Sequence, residues 1–445
     1  MPVTRRRLFQ TAAALALTPA LRSADNSGFI TLSPSPEDLE MPVAGFADEI
    51  TPVEDFFVRC HTMIPKVSLA DWKLEIGGLV NTPLTLTLDD LKTLPHVNLV
   101  SVLECAGNGR SFYQPRLPGA QWAFGSVGNA SWTGVRLRDV LTKAGLKPGV
   151  TQILMDGADV PMGKMPDFQR TLEVKKALDP DTLLAWDMNG KPLTAEHGFP
   201  LRVIAPGWAS DSWCKWLRRL EAMDHDFEGF WMKSAYRHPP RHVAPGTPVD
   251  PKDMVPVTDL NVKSAIASPG TTVAPGPVTV VGMAWSNASP VTRVEISFDA
   301  GKTWTAAKLG PNPTKYGFRR FTYKWQAPEG EHTMMSRATN ADGKTQPMEP
   351  EWNPNGYLYN AVQPRPVYVG TTAPAPPAAP TPSEPAPASY QADCLSCHDD
   401  HMMRQQHITR AQWDREITKM TGWGAQVKPE DRTNILDYLA ASFKP

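Results

Sequence analysis

Residues 371–389 read TTAPAPPAAPTPSEPAPAS, seven prolines in nineteen positions. Such a tract has no apolar face to bury and too few amide donors for a helix or sheet. It reads as a polyproline spacer, about 3.1 Å per residue and reaching about 60 Å when fully extended. The chain is thereby divided into a long body and a tail of 56 residues, 390–445. A segment that short buries too little surface to fold on an apolar core alone, so it calls for a metal, a disulfide or a prosthetic group.

The tail carries its own staple. Cys394-Leu-Ser-Cys397-His398 is the C-x-x-C-H pattern of haem attachment, in which two thiols one turn apart form thioethers and the following histidine binds iron. A redox C-x-x-C or half of a zinc site are the other readings of the same residues. The sixth iron ligand must come from the opposite face of the haem. Met402, Met403 and His401 follow His398 too closely to cross the ring, His407 stays open, and Met420 is the expected ligand, at the end of a helix with Trp413 and Ile417. A merely buried Met420 is the alternative. A Met/His pair raises the haem potential and suits an electron acceptor. Ile435, Tyr438, Leu439 and Phe443 make the apolar face of a closing helix.

Proline is also abundant outside the spacer. The other 38 prolines make about 9% of the remaining 426 residues, above the ordinary share of about 5%. That argues against a helical bundle and for a loop-rich α+β or β body. A net charge of −1 gives no general attraction to nucleic acid, and no apolar run reaches the roughly 18–20 residues of a membrane span. Residues 1–24 have an export-signal pattern: Thr4-Arg5-Arg6-Arg7-Leu8-Phe9 precedes the short apolar run TAAALALTPAL and small residues at Ala20 to Ala24. The paired arginines resemble a twin-arginine signal, which implies a periplasmic destination and a protein exported already folded around a cofactor.

Within 25–255, Asp71–Val80 alternates like a strand, Thr87–Pro95 reads as a short capped helix, and Gly134–Leu146 reads as a helix closing on Gly145. From 256 to 370 the pattern is purely β, with hairpin turns at Asp299-Ala-Gly301 and Asp342-Gly343, as in an immunoglobulin-like sandwich. The Gly301-Lys302-Thr303 run lacks the upstream glycine of a phosphate loop. His238 and His242 are separated by prolines and read as loop, not as a helical metal pair. The haem takes two of five cysteines, leaving Cys60, Cys105 and Cys214, of which at least one is unpaired. Cys105 lies between a strand-like run and a glycine-punctuated loop beside Arg110, which suits either a metal-ligand thiolate or an ordinary buried cysteine.

Five segments in order resemble the sulfite oxidase family of molybdenum enzymes. They are Phe56-Phe57-Val58-Arg59-Cys60-His61, Glu104-Cys105-Ala106-Gly107-Asn108-Gly109-Arg110, Ala185-Trp186-Asp187-Met188-Asn189-Gly190, His197-Gly198-Phe199-Pro200-Leu201-Arg202, and Pro206-Gly207-Trp208 with Lys215-Trp216-Leu217. The resemblance covers about 45–365. It implies an α+β molybdopterin domain, a β-sandwich used for dimer contacts, and Cys105 as the one protein ligand of molybdenum. It further implies that His61, Asp159, His197, Arg202 and Lys215 bind the pterin and its phosphate, and that Arg59 and Arg110 hold a small dianion. Trp122 resembles the wall of that pocket, with a plain core tryptophan as the alternative. Two departures stand out. By the resemblance, Trp186 replaces the family's active-site tyrosine in the pocket, keeping bulk and an N–H donor but losing a titratable hydroxyl, and the segment Trp352-Asn-Pro-Asn-Gly-Tyr357 lacks a further family arginine.

The expected architecture is therefore an α+β molybdopterin-binding domain (25–255), an immunoglobulin-like sandwich (256–370), a spacer (371–389) and a small all-α cytochrome c-like domain (390–445). The expected activity is oxidation of sulfite to sulfate, with electrons passing through haem c to a soluble cytochrome c. The alternatives are a sulfane or persulfide dehydrogenase or a molybdenum oxidoreductase for another small oxyanion, and a haem electron-transfer protein with an inactive pterin domain. The spacer reads as a tether that lets the haem visit one site and then the other.

Overall fold

Alternation in the body becomes two five-stranded sheets with one apolar core. The structure, a computed structural model, describes residues 28–311, 314–375 and 385–445, so the leader at 1–24 and the middle of the proline tract lie outside the described residues. One sheet orders its strands Lys191–Pro192, Leu183–Met188, Val127–Arg136 and His96–Glu104, with Arg202–Ile204 also paired to Leu183–Met188. The second runs Leu84–Leu86, Leu74–Gly78, Arg219–Met223, Gln152–Asp156, Arg170–Glu173, with one parallel pair between Arg219–Met223 and Leu74–Gly78. Their inner faces share a core that includes Leu74, Trp132, Val135, Ile153, Leu184 and Leu220, all fully buried.

The expected strand within Asp71–Val80 is Leu74–Gly78. The helix after Thr87 is Leu88–Lys92, and Thr87 and Asp90 form a reciprocal capping box. The helix expected from Gly134 starts only at Leu137, because Gly134 to Arg136 complete a strand. Gly134 pairs with Ala185, and a Cβ at Gly134 would lie 2.0 Å from the Leu184 carbonyl oxygen, so close packing of the two backbones overrides helical periodicity there. Gly145, at φ 70°, ends that helix as expected.

Residues from Lys263 to Val369 form a two-sheet sandwich of four and five strands around Val280, Val294, Phe321, Met334 and Val367. Ala300 and Gly301 have φ of 58° and 83°, and Gly343 has φ 78°, the left-handed geometry of tight hairpin turns. The sandwich also sends a loop back to the body, Trp352–Tyr357, whose last residue stacks on Tyr236 at 5.2 Å. The tail folds as one π-helical turn, Tyr390–Cys394, and three α-helices, His401–Arg404, Arg410–Gly422 and Pro429–Ser442. Tyr390, Trp413, Ile417, Ile435, Tyr438, Leu439 and Phe443 form its own buried cluster. No helix among the described residues is long and apolar enough to cross a membrane.

Candidate active site

Two cavities meet at Cys105. The larger, about 430 Å³, and a narrow slot of about 60 Å³ share five lining residues: Arg59, Cys60, His61, Cys105 and Tyr236. Cys105 is placed there by the strand His96–Glu104, which ends one residue earlier, and by its amide donating to Ser126 O at 2.9 Å. Burial pushes its thiol pKa up, opposed by the Gly107 amide and then by the Arg59 and Arg110 guanidinium groups. A bound cation or metal would reverse that balance and favour the thiolate.

The slot holds the residues expected to bind the pterin and its phosphate. His61, Asp159, His197, Arg202 and Lys215 all line it. Lys215 Nζ bridges its walls, donating to Arg59 O at 3.1 Å, to Glu196 O at 2.9 Å and to Cys60 Sγ at 3.3 Å. Arg202 donates to His197 O at 3.0 Å and lies over the Trp132 ring, and no carboxylate pairs with it among the described residues. Burial lowers its pKa to about 9, and its Nε is buried without a partner. An unpaired buried guanidinium is costly unless an anion completes it. Burial, then Arg202 and Lys215, pushes His197 down to about 3, and burial, then Arg59, holds His61 well below its ordinary value. Both histidines are therefore neutral hydrogen-bonding groups at neutral pH.

The larger cavity has the cationic side expected for an anion. Arg59 donates to Asp38 at 3.0 and 3.3 Å, and burial raises that carboxyl to about 6 although Arg59 opposes the shift. Arg110 is different. It is 7% exposed, donates to Ala120 O at 3.0 Å and Asn355 O at 3.4 Å, and lies 5.1 Å from the Tyr357 ring centre, with no carboxylate partner among the described residues. Its Nε is unpartnered, and a Cβ on Gly107 or Gly119 would come within 2.9 Å of its guanidinium, so both glycines are needed to admit it. Trp122 is fully buried in the cavity wall with its Nε1 unpartnered.

One expected site residue is not brought here. Trp186 lines neither cavity; it faces the core from the strand Leu183–Met188, its ring 5.8 Å from His96. It is 5% exposed and belongs to the main core cluster, so its side chain is committed to packing. The tyrosine that does reach both cavities is Tyr236, which sequence reasoning missed. Its hydroxyl is 2.7 Å from His61 Nε2, and burial raises its pKa well above the usual value, so it stays protonated. Asp38, the carboxylate that orients Arg59, was missed as well. The arginine-free segment Trp352–Tyr357 does reach the pocket, where Asn355 and Tyr357 meet Arg110.

The tail roofs the same cavity. Cys394, Cys397, His398, Met402, Met403 and Met420 all line it. His401 and His407 do not; they bond to Asp399 and to Lys444 O. All five cysteines are unpaired, and His238 sits in a short bridge with its Nδ1 2.8 Å from Pro239 O. No cluster of three or more His, Cys, Asp or Glu side chains among the described residues is arranged to hold a metal ion.

Slot, thiol and fold together define a molybdopterin-binding oxidoreductase. Residues 61–231 match the oxidoreductase molybdopterin binding domain and residues 254–364 the Mo-co oxidoreductase dimerisation domain. The chain is 34% identical over 356 residues to mitochondrial sulfite oxidase of Drosophila melanogaster, covering 74% of this chain and 61% of that protein. It is 32% identical over 348 residues to sulfite oxidase of Gallus gallus, covering 74% and 75%. Among solved structures, the sulfane dehydrogenase SoxCD from Paracoccus pantotrophus superposes with a TM-score of 0.69 at 28% identity, over 80% of this chain and 92% of that one. The chain belongs to the sulfite oxidase family of molybdenum enzymes. It spans about three-fifths of the length of the insect relative.

Proposed function

We propose that the chain oxidises a small sulfur oxyanion, sulfite first, at a molybdenum centre held by Cys105, and passes the electrons through a haem c in its tail to a soluble cytochrome c. The observation that carries this reading is a single cavity lined both by Arg59, Cys105 and Arg110 and by Cys394, Cys397, His398 and Met420. When bound, molybdenum–molybdopterin supplies oxygen-atom transfer and takes up two electrons, and the haem takes them one at a time.

The residues present suit both groups. His398 Nδ1 is 2.9 Å from Asp399 O, which fixes the ring and leaves Nε2 for iron, as a ligating histidine needs. The Trp413 indole nitrogen and the Tyr390 hydroxyl, on residues lining the cavity, are buried without partners and are ready to meet polar atoms of a prosthetic group. Arg202, Lys215 and the neutral His197 are donors of the kind a pterin phosphate needs.

Around the substrate, Arg110 and Arg59 bind the anion and keep their hydrogen bonds as charge redistributes on its oxygens. Asp38 holds Arg59 through Nη1 and offsets one of the two positive charges, so Arg110 supplies the uncompensated one. With neutral His61 carrying its ring proton on Nε2 and donating to the Tyr236 oxygen 2.7 Å away, the protonated Tyr236 hydroxyl is left to donate towards the site. Trp122, Tyr357 and the seated tail exclude bulk water. Export to the periplasm by the twin-arginine route, with the leader Arg5-Arg6 as its support, belongs to the same proposal, as does a homodimer supported by the match to a dimerisation domain.

The likeness to SoxCD, and the Asn355 and Tyr357 that stand where the segment has no arginine, favour oxidation of a sulfane or persulfide as the second reading. The test is to follow the protein's own haem band on adding sulfite, thiosulfate or a persulfide. Sulfite reduces the band under the first reading; reduction by the other donors and never by sulfite selects the second. Molybdenum absent from haem-loaded protein would remove both. Cys105→Ser should abolish reduction and leave the haem spectrum intact.

A further inference from the structure

The sequence presents the tail as a mobile visitor, but its contacts are those of a fixed part. Gln406 makes a reciprocal pair with one backbone residue: its Oε1 accepts from Gly119 N at 3.2 Å and its Nε2 donates to Gly119 O at 2.9 Å. Next to it, Gln405 Oε1 accepts from Gln121 N at 2.8 Å while its Nε2 donates to Leu32 O at 2.9 Å. Gln412 Nε2 donates to Arg116 O at 3.1 Å, and on the other side Lys164 N donates to Trp423 O at 2.7 Å. Each satisfies backbone groups of the body that a departing tail would leave bare.

Apolar contacts reinforce them. Met402 packs on the main core of the body, and Trp423 joins the cluster of Phe46, Trp231 and Trp285, with ring distances of 5.6 Å to Phe230 and 6.0 Å to Trp231. The approach is close enough that a Cβ on Gly163 would lie 2.8 Å from Trp423 O. Charge contributes little. The tail has eight acidic and seven basic residues, and its ion pairs among the described residues are internal: Arg404–Asp400, Arg410–Asp437, Lys419–Glu416 and Arg432–Asp414. The only charged group bonded across the junction there is Asp399, which accepts from the Ser33 hydroxyl at 3.3 Å and the Ser35 amide at 3.2 Å.

We infer that residues 390–445 are a permanently seated roof of the active-site cavity, latched by the neutral Gln405–Gln406 pair and the Trp423 contact, and that neither the proline tract nor salt-sensitive attraction holds them there. The tract then serves as a connection between two docked parts. The inference concerns the docking surface and stands whatever redox group the tail carries.

The experiment uses the full-length, cofactor-loaded protein with a protease site placed in the tract at 376–384. After complete cleavage the sample is gel-filtered at 0.1 M and 1 M NaCl. Neutral hydrogen bonds and apolar contacts are not screened by salt, so the two fragments should elute together at both concentrations. Q405A/Q406A in the same background should weaken their association by about a hundredfold or more, since five direct hydrogen bonds are lost, the fifth a long one from Gln121 Nε2 to Gln406 Oε1 at 3.5 Å. An uncleaved sample of that variant with an unchanged thermal unfolding profile shows that both parts still fold. Separation of the wild-type fragments at low salt would mean the tether holds the tail; separation only at high salt would mean charge holds it. Either result overturns the inference, as does a Q405A/Q406A protein that stays as tightly associated as wild type.

Discussion

Arg110→Met separates activity from stability, because Arg110 is a buried cation without a countercharge. In the free protein its guanidinium gains two hydrogen bonds to carbonyl oxygens and one ring contact, while its Nε goes unpaired. Removing it forfeits about 1 kcal/mol for each of the two carbonyl bonds but also relieves a desolvation cost of several kcal/mol. The unfolding free energy of the anion-free protein should therefore stay level or rise by about 1–2 kcal/mol. Against an oxyanion the balance reverses. Two charge-assisted bonds at about 1.5–3 kcal/mol each disappear, which is about 3–6 kcal/mol and roughly a 10²- to 10⁴-fold loss in kcat/KM.

The assay pairs denaturant unfolding of the variant with the initial rate of haem reduction over a range of sulfite concentrations. Arg110→Lys keeps the charge but not the fork, and should recover only part of the loss. An Arg110→Met protein within tenfold of wild type in kcat/KM would refute the anion-binding role. So would a loss of activity matched by an equal loss of stability, since that pattern belongs to a structural arginine.

Tyr236→Phe keeps the ring stacked on Tyr357 and removes the hydroxyl beside His61, so kcat/KM should fall about ten- to a hundredfold, the worth of one hydrogen bond to a charged partner. A twofold change or less in steady-state turnover would place that hydroxyl outside the reaction. With the proposed haem in the tail, Met420→His should lower its midpoint potential by on the order of 100 mV or more in a redox titration, whereas Met402→Leu and Met403→Leu should not. An unmoved potential in the Met420 variant would assign the sixth ligand elsewhere. Asp159 is raised by burial from 3.8 to about 6, so its contribution to stability is full below about pH 4 and is lost as pH rises through 6. In molybdenum-free protein, Asp159→Asn should therefore become more stable relative to wild type between pH 4.5 and 7.5, by roughly 2 kcal/mol in urea unfolding. A pH-independent difference would show that Asp159 does not titrate there.

These predictions rest on residues of unequal legibility. Cys105, Arg59, Arg110, His61, His197, Arg202 and Lys215 could be found because each sits in a short motif segment whose neighbours identify it, and Asp159 followed from the same resemblance. The structure places all eight on one or both of two adjoining cavities. The strand–turn grammar of the sandwich was equally visible, since Asp299-Ala-Gly301 and Asp342-Gly343 announce left-handed turns. Trp186 misled because a motif position was read without its strand. The run LLAWDM is apolar except for Asp187, the pattern of a strand covered on both faces, and its buried side chains are taken up by the core.

Tyr236 and the seating of the tail share a different cause. Tyr236 is defined by neighbours 175 residues earlier and 121 residues later, His61 and Tyr357, and nothing local in FWMKSAYRHPP distinguishes it from the aromatics beside it. The latch is harder still to read. Gln405 and Gln406 are neutral, lie on no amphipathic stripe, and take their meaning entirely from bare amides and carbonyls at Leu32, Gly119 and Gln121. Side chains that bond to backbone answer to geometry and not to residue type, so their partners carry no sequence signal. The proline tract, by contrast, is visible at a glance, and it invites the idea of a free tether. Its composition sets only the reach of the connection; whether the tail uses that reach depends on what its two ends bind, and both ends here are already satisfied.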